Sequence, residues 1–148
     1  MGIFFKVLKY TVLGFLVSSI LAVIAYRWVP VSLTPLMVIR CVQHGLKGEP
    51  MAVHHKWVPL KQISPYLPVA VMASEDQNFM HHNGFDFNAI QSAAIEHIEG
   101  GRSRGGSTIS QQTAKNVFLW PTSSWVRKGF EAYFTVLIEF FWSKDRIM

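Results

Sequence analysis

Three short stretches of this chain gather side chains that do chemistry. The first, EDQNFMHHNGFD at 75–86, sets two adjacent acids, Glu75 and Asp76, ahead of two histidines, a glycine and a third acid, Asp86. Glu75 closes an apolar run, and a carboxylate at the end of an apolar helix is partly desolvated, which suits it to taking up a proton. A metal would use Asp76, His82 and Asp86, yet their spacing matches no standard zinc arrangement. Asp86 as a helix cap and His82 as a buried hydrogen-bonding group are the structural readings, and Glu75 has the least structural excuse. The second stretch, GGSTISQQTAKN at 105–116, packs two glycines, four hydroxyls, two glutamines, a lysine and an asparagine together. Gly105 and Gly106 let the backbone come close to a ligand, and the N–H groups of a helix start point the same way. Thr108, Gln112 and Lys115 fall at i, i+4 and i+7, with Asn116 beside Lys115. That combination makes an oxyanion or phosphate site, or else a solvated helix face. It is not a Walker loop, because the lysine comes too late. The third stretch, VRKGFEA at 126–132, puts Arg127 and Glu131 one helical turn apart. On a surface such a pair is worth about 0.2–0.5 kcal/mol. Here Phe130, Ala132, Tyr133 and Phe134 surround Glu131, and a buried glutamate needs a partner or a job.

These residues need helices to carry them. SPYLPVAVMASE predicts a helix capped by Ser64, with Pro65 in its first turn and Glu75 at its end. DFNAIQSAAIEHIEGG predicts another, capped by Asp86, with Phe87, Ile90, Ala94, Ile95 and Ile98 at helical spacing and a stop at Gly100. Thr108 and Gln111 have capping-box spacing, so a helix should run from Ile109 to about Phe118, with Ile109, Val117 and Phe118 available to a core. WPTSS ends it and caps the next. From Trp125 to Trp142 the chain is apolar almost all round, interrupted by Arg127, Lys128, Glu131 and Glu139, and reads as a buried central helix. Between 30 and 59 lies a Pro- and Gly-containing connector. Its stretch from Thr34 to Leu46 predicts an amphipathic helix with Thr34 as cap, Pro35 in the first turn and Gly45 near the end. The adjacent His54 and His55 diverge in either regular structure and read as linker residues rather than a metal pair. No hairpin signal and no repeat stands out, so the class is mainly α.

The N-terminal thirty residues have another purpose. An uncharged run from Tyr10 to Tyr26 is flanked by Lys6 and Lys9 before and Arg27 after. With its aromatic flanks it approaches the roughly 20 residues of a membrane span, and Tyr10, Tyr26 and Trp28 sit where interfacial aromatics sit. A cleaved signal would end in an A-x-A-like site, which Val23-x-Ala25 matches poorly. The expected arrangement is a signal anchor over 1–29 with a cytoplasmic N-terminus, the connector over 30–59, and a domain over 60–148 on the outer side of the membrane. At 148 residues there is room for one domain with a core. The single cysteine, Cys41, excludes an intramolecular disulfide framework. A net charge of +5 suits nucleic acid, anionic lipid or a phosphorylated ligand and does not choose among them.

Together the three stretches resemble the glycosyltransferase domain of peptidoglycan synthesis, shared by bifunctional penicillin-binding proteins and monofunctional biosynthetic transglycosylases. The family pattern E-D-x-x-F-x-x-H-x-G-x-D is met by Glu75, Asp76, Phe79, His82, Gly84 and Asp86. G-x-S-T-I-x-Q-Q-x-x-K-N is met by Gly105, Ser107, Thr108, Ile109, Gln111, Gln112, Lys115 and Asn116. R-K-x-x-E is met by Arg127, Lys128 and Glu131. The single N-terminal anchor and the run SQQTAKNVFLW resemble the monofunctional branch.

The resemblance implies a lysozyme-like α-helical fold facing the outer, periplasmic side of the bacterial cytoplasmic (inner) membrane. It implies lipid II as substrate, with Glu75 as the base that takes the proton from the acceptor sugar's 4-hydroxyl while undecaprenyl pyrophosphate leaves with inversion. Lys115 and Arg127 would neutralise that leaving group. Glu131, the second catalytic position, would organise the site either by positioning Arg127 and Lys128 or by holding a divalent cation, Mg or Mn. Asp76, Phe79, His82, Ser107, Thr108, Gln112, Lys115, Asn116, Arg127 and Lys128 carry over as substrate-binding positions. The partners implied are lipid II, the growing glycan chain, the membrane and other cell-wall synthesis or division proteins, with nucleic acid not among them. The pattern K-x-x-I-L-E-x-Y-L-N, which follows in the family, keeps only Lys144 and Ile147 here. The expectation is therefore a C-terminally truncated domain whose last long helix lacks neighbours. Two other functions compete: a lysozyme-like glycan-cleaving enzyme, and an inactive membrane-anchored remnant.

Overall fold

The computed structural model describes residues 2–98 and 106–148, with the side chains of Ala94 and His97 outside that description. The described residues form helices α1 (Gly2–Tyr26), α2 (Pro35–Leu46), α3 (Tyr66–Glu75), α4 (Phe87–Ile98), α5 (Ile109–Phe118), α6 (Trp125–Phe141) and α7 (Lys144–Ile147), with a 3-10 turn at Leu60–Gln62. No strand occurs among them, so the class is mainly α as the sequence predicts. Two compact units separate at Pro30: residues 1–30 and residues 31–148.

The first unit is α1. Its 25 residues rise about 37 Å at 1.5 Å each, enough by length and composition to cross a membrane. The helix starts well ahead of the uncharged run, so Lys6 and Lys9 are helical too. Just after it, the Arg27 guanidinium lies 5.2 Å from the Trp28 ring centre.

In the second unit α2 begins as expected: Thr34 accepts the Met37 N–H at 3.2 Å, and Pro35 takes a first-turn place where its missing N–H costs nothing. α3 corrects the expectation at Ser64. Pro65, at φ −62° and ψ −18°, is already wound, so it occupies the cap position and no side chain caps the helix. Ser64 contributes its carbonyl to Leu67 N instead, at 3.0 Å. No α3 residue is buried, and Tyr66, Leu67 and Val69 are exposed. α4 starts after Asp86 as expected, but Phe87, Ile90, Ile95 and Ile98 are all exposed. The expected stop at Gly100 and the side chain of Ala94 lie outside the described residues.

The core lies where α5, α6 and α7 meet. Ala114, Leu119, Phe134, Ile138, Trp142 and Ile147 are buried there. Phe118 stacks on Phe134 with centroids 4.6 Å apart and planes 2° from parallel, and Thr113 Oγ1 donates to the Ile147 carbonyl at 3.0 Å. Arg146 sits between two indoles, 5.9 Å from Trp57 and 5.4 Å from Trp142, and so ties the connector to the end of α6. α6 is not the all-round buried helix that its composition suggests. Glu131, Phe134, Thr135 and Ile138 are buried, while Trp125, Val126, Val136 and Phe140 face outward. Only one face of this apolar helix is covered among the described residues.

Candidate active site

The site is assembled on the start of α5. Thr108 and Gln111 form the expected capping box: Thr108 Oγ1 accepts the Gln111 N–H at 3.2 Å, and Gln111 Oε1 accepts the Thr108 N–H at 3.0 Å. Asp76 completes it from 33 residues away, its Oδ2 accepting the Ile109 N–H at 3.0 Å. A carboxylate at this end of a helix is favoured by the dipole as well as the hydrogen bond. Of the two readings of this helix start, an oxyanion site or a solvated face, the first would need donors that at Ile109 and Gln111 already serve Asp76 and the cap. Gly105 lies outside the described residues.

Asp76 also receives His82 Nε2, at 2.9 and 3.0 Å from its two oxygens. The Gly84 N–H donates to His82 Nδ1 at 3.1 Å, which leaves the ring proton on Nε2 and directs it at Asp76. Thr108 Oγ1 in turn donates to the Gly84 carbonyl at 2.7 Å. Gly84 has φ +91°, and a Cβ there would lie 2.7 Å from Thr135 Cγ2 and 3.0 Å from Glu139 Cγ. Only glycine lets this loop turn so close to α6. Asp86 closes the stretch as the cap of α4: Oδ1 accepts the Ala89 N–H at 2.9 Å and Oδ2 accepts Asn78 Nδ2 at 2.7 Å. The Ala89 amide first, then the Asn78 amide, hold the Asp86 carboxyl below its ordinary value against the opposing effect of burial. Phe79 is 1 % exposed and meets His82 edge-on, so it supports the loop from beneath and is not among the residues that line the groove beside Glu75, which argues against a substrate contact.

Glu75 points the other way from Asp76. It is exposed rather than desolvated, which corrects the premise drawn from its apolar helix. Gln112 Nε2 donates to Glu75 Oε2 at 2.9 Å, a bond between positions 37 apart that joins the end of α3 to the face of α5. On one side of Glu75 opens a groove of about 360 Å³, lined by Asp76, Asn78, Ser92, Glu96, Ser107 and Thr108 among others. On the other, the α5 face continues from Gln112 to Lys115, one turn on, and the exposed Asn116. The Lys115 ammonium meets no partner among the described residues.

The third stretch folds into a buried carboxylate under two cations. Glu131 is 3 % exposed; its Oε2 accepts Arg127 Nη1 at 2.9 Å and its Oε1 accepts Lys128 Nζ. With both oxygens so engaged, and no cluster of three metal-ligating side chains among the described residues, the donor set at Glu131 does not fit a divalent cation. Glu131 organises cations of the protein itself. The trio keeps a net charge of +1, and the buried Arg127 Nε–H has no acceptor among the described residues.

A family model described as Transglycosylase matches residues 44–148. The chain belongs to the transglycosylase family. Its relatives include a biosynthetic peptidoglycan transglycosylase of Bacteroides thetaiotaomicron, 60% identical over 146 residues and covering 97% of this chain and 59% of the relative. The protein of the same description from Bdellovibrio bacteriovorus is 56% identical, over 93% of this chain and 55% of its own length. That of Pseudomonas putida F1 is 52% identical, over 95% and 60%. This transglycosylase chain thus spans between 55% and 60% of the length of these relatives. The mainly α architecture is consistent with a lysozyme-like domain. Within it, the geometry adds three members that the sequence reading left without roles: Asn78, Glu139 and Lys144. Glu139 was visible as a charge on an apolar helix, Lys144 as a retained position of the pattern that follows in the family, and Asn78 only as a neighbour of the acids.

Proposed function

We propose that the chain carries the catalytic chemistry of a peptidoglycan glycosyltransferase, polymerising lipid II with release of undecaprenyl pyrophosphate. The observation that carries this reading is Glu75, an exposed carboxylate at the mouth of a polar groove and hydrogen-bonded to Gln112, with Lys115 one turn further along α5. Glu75 takes the proton of the acceptor sugar's 4-hydroxyl as that oxygen attacks the anomeric carbon. The pyrophosphate leaves as an anion, and Lys115 with the Arg127–Lys128–Glu131 trio neutralises it. Gln112, Asn116 and Ser107 bind sugar or phosphate oxygens along the same surface, while Thr108, buried with its hydroxyl on the Gly84 carbonyl, holds the helix start. Asp76, His82 and Phe79 hold the loop from behind. α1 anchors the chain in the inner membrane, with residues 31–148 on its outer side, where lipid II is presented; other cell-wall synthesis proteins are the expected company. A glycan-cleaving enzyme has no use for cations beside Glu131, since no pyrophosphate leaves.

Glycan-chain formation from labelled lipid II in detergent tests the proposal. Two proteins are compared: the 148-residue chain, and a chimera in which the remainder of the Bacteroides relative follows Met148. The expected result is polymer from the chimera, and from Glu75→Gln in it a rate lower by about 10²–10⁴-fold with lipid II binding retained. Undiminished turnover in Glu75→Gln would remove Glu75 as the base.

A further inference from the structure

The loop bearing Phe79, His82 and Gly84 is gripped from two sides. One grip is the α5 cap already described. The other is a cation with no part in the proposed chemistry. Lys144 Nζ, at the start of α7, donates to the His82 carbonyl at 2.7 Å and to Glu139 Oε1 at 2.8 Å. The same ammonium lies 4.5 Å from the centre of the Phe79 ring. Lys144 and Glu139 side chains are only 19% and 8% exposed. Fully buried Ser110 donates its hydroxyl to the same Glu139 oxygen. An ammonium has three donors, and here they meet a carboxylate, a carbonyl and a ring face.

A buried ion pair gains little net stability, because desolvating both charges offsets their attraction. It does impose geometry. The His82 carbonyl cannot move away without leaving a buried ammonium short of an acceptor. Gly84, two residues on, lies so close to Thr135 and Glu139 that even a Cβ there would meet them at 2.7 and 3.0 Å. With the carbonyl of His82 fixed and the Gly84 N–H on Nδ1, the imidazole can present only Nε2 to Asp76. Asp76 follows Glu75 in sequence, so its anchoring sets where Glu75 leaves α3.

We infer that Lys144 is a positioning residue: held by Glu139 and Ser110, it pins the His82 carbonyl and keeps the His82–Asp76 pair, and through it Glu75, in place. Its effect on turnover rests on the glycosyltransferase reading; its effect on the loop does not.

The test separates the two. In the 148-residue chain in detergent micelles, the imidazole nitrogen shifts of His82 report its tautomer, and hydrogen exchange reports the Gly84 amide. The wild type should show a single Nε2-protonated tautomer and a protected Gly84. Lys144→Met should mix the tautomers and speed Gly84 exchange by about tenfold or more. Thr113→Val, which cuts a bond to α7 at Ile147 without touching the loop, should leave both signals as they were. Glu139→Gln, which keeps the shape and removes the charge, should fall between, and it decides the matter if Lys144→Met does not fold. In the chimera, Lys144→Met should lower kcat about tenfold with KM changed less than about twofold, the mark of a misplaced base rather than lost binding. A wild-type tautomer and wild-type Gly84 exchange in the folded variant would overturn the inference, whatever happens to kcat. A responding loop in the 148-residue chain, beside an unsubstituted chimera that folds and makes no polymer, would support the inference and sink the glycosyltransferase reading.

Discussion

Asp86 ties the first motif to the helix that follows it, and it does so most strongly while ionised. Its folded pKa lies below the ordinary carboxylate value because the Ala89 and Asn78 groups bond the charged form. A depressed acid contributes stability that is fully present above its unfolded pKa, about 3.9, and is lost as pH falls through the folded value. Asp86→Ala should therefore cost about 0.5–2 kcal/mol at neutral pH and much less in acid, read from urea unfolding followed by helical circular dichroism. An equal cost at both pH values would show that the charge is irrelevant to the cap. This role was legible in the sequence, since an acid immediately before an apolar-periodic run is a local signal. So was Glu131, whose cationic partners stand three and four residues before it on the same helix. The Asp76–His82–Ile109 arrangement was not legible. Its members are brought together by tertiary packing across 33 positions, and no spacing rule reaches that far.

At the scale of elements, the informative unit is the turn at Gly84. Among the described residues two glycines have positive φ, Gly48 at +77° and Gly84 at +91°, and they differ in surroundings. A methyl at Gly48 meets nothing within 4 Å, whereas at Gly84 it meets buried Thr135. Gly48→Ala should cost about 1 kcal/mol from backbone strain alone, and Gly84→Ala about 2–4 kcal/mol as overpacking is added. Unfolding of the paired variants measures the difference; equal costs would mean that the loop is not pressed on α6. The boundaries of α2 and α5 were readable because their caps are local chemistry. The start of α3 was misplaced by one residue because Pro65 fits both as a first-turn residue and as a wound cap. The exposure of α4 and of one side of α6 was hidden from composition, which reports how apolar a helix is and not which neighbours reach it.

For the whole molecule, α1 and residues 31–148 answer different physics. The full chain should float with lipid vesicles and stay with them at about 1 M salt, where surface electrostatics are screened to roughly 3 Å. Residues 31–148 alone should lose that salt-resistant association, and equal flotation of both would show that α1 is not the anchor. The α5 start, closed by its own capping box and then by Asp76 and Gly84, has a kinetic consequence. Thr108 and Gln111 close their capping box within a single turn, so α5 can nucleate as soon as its own residues are free to wind. Asp76 and Gly84 must come from 33 and 24 positions away, paying a loop-closure entropy first. The loop beside Glu75 should therefore dock on the α5 start only after the local capping box has formed. The loop proposed to carry the chemistry would then join a helix end that is already closed.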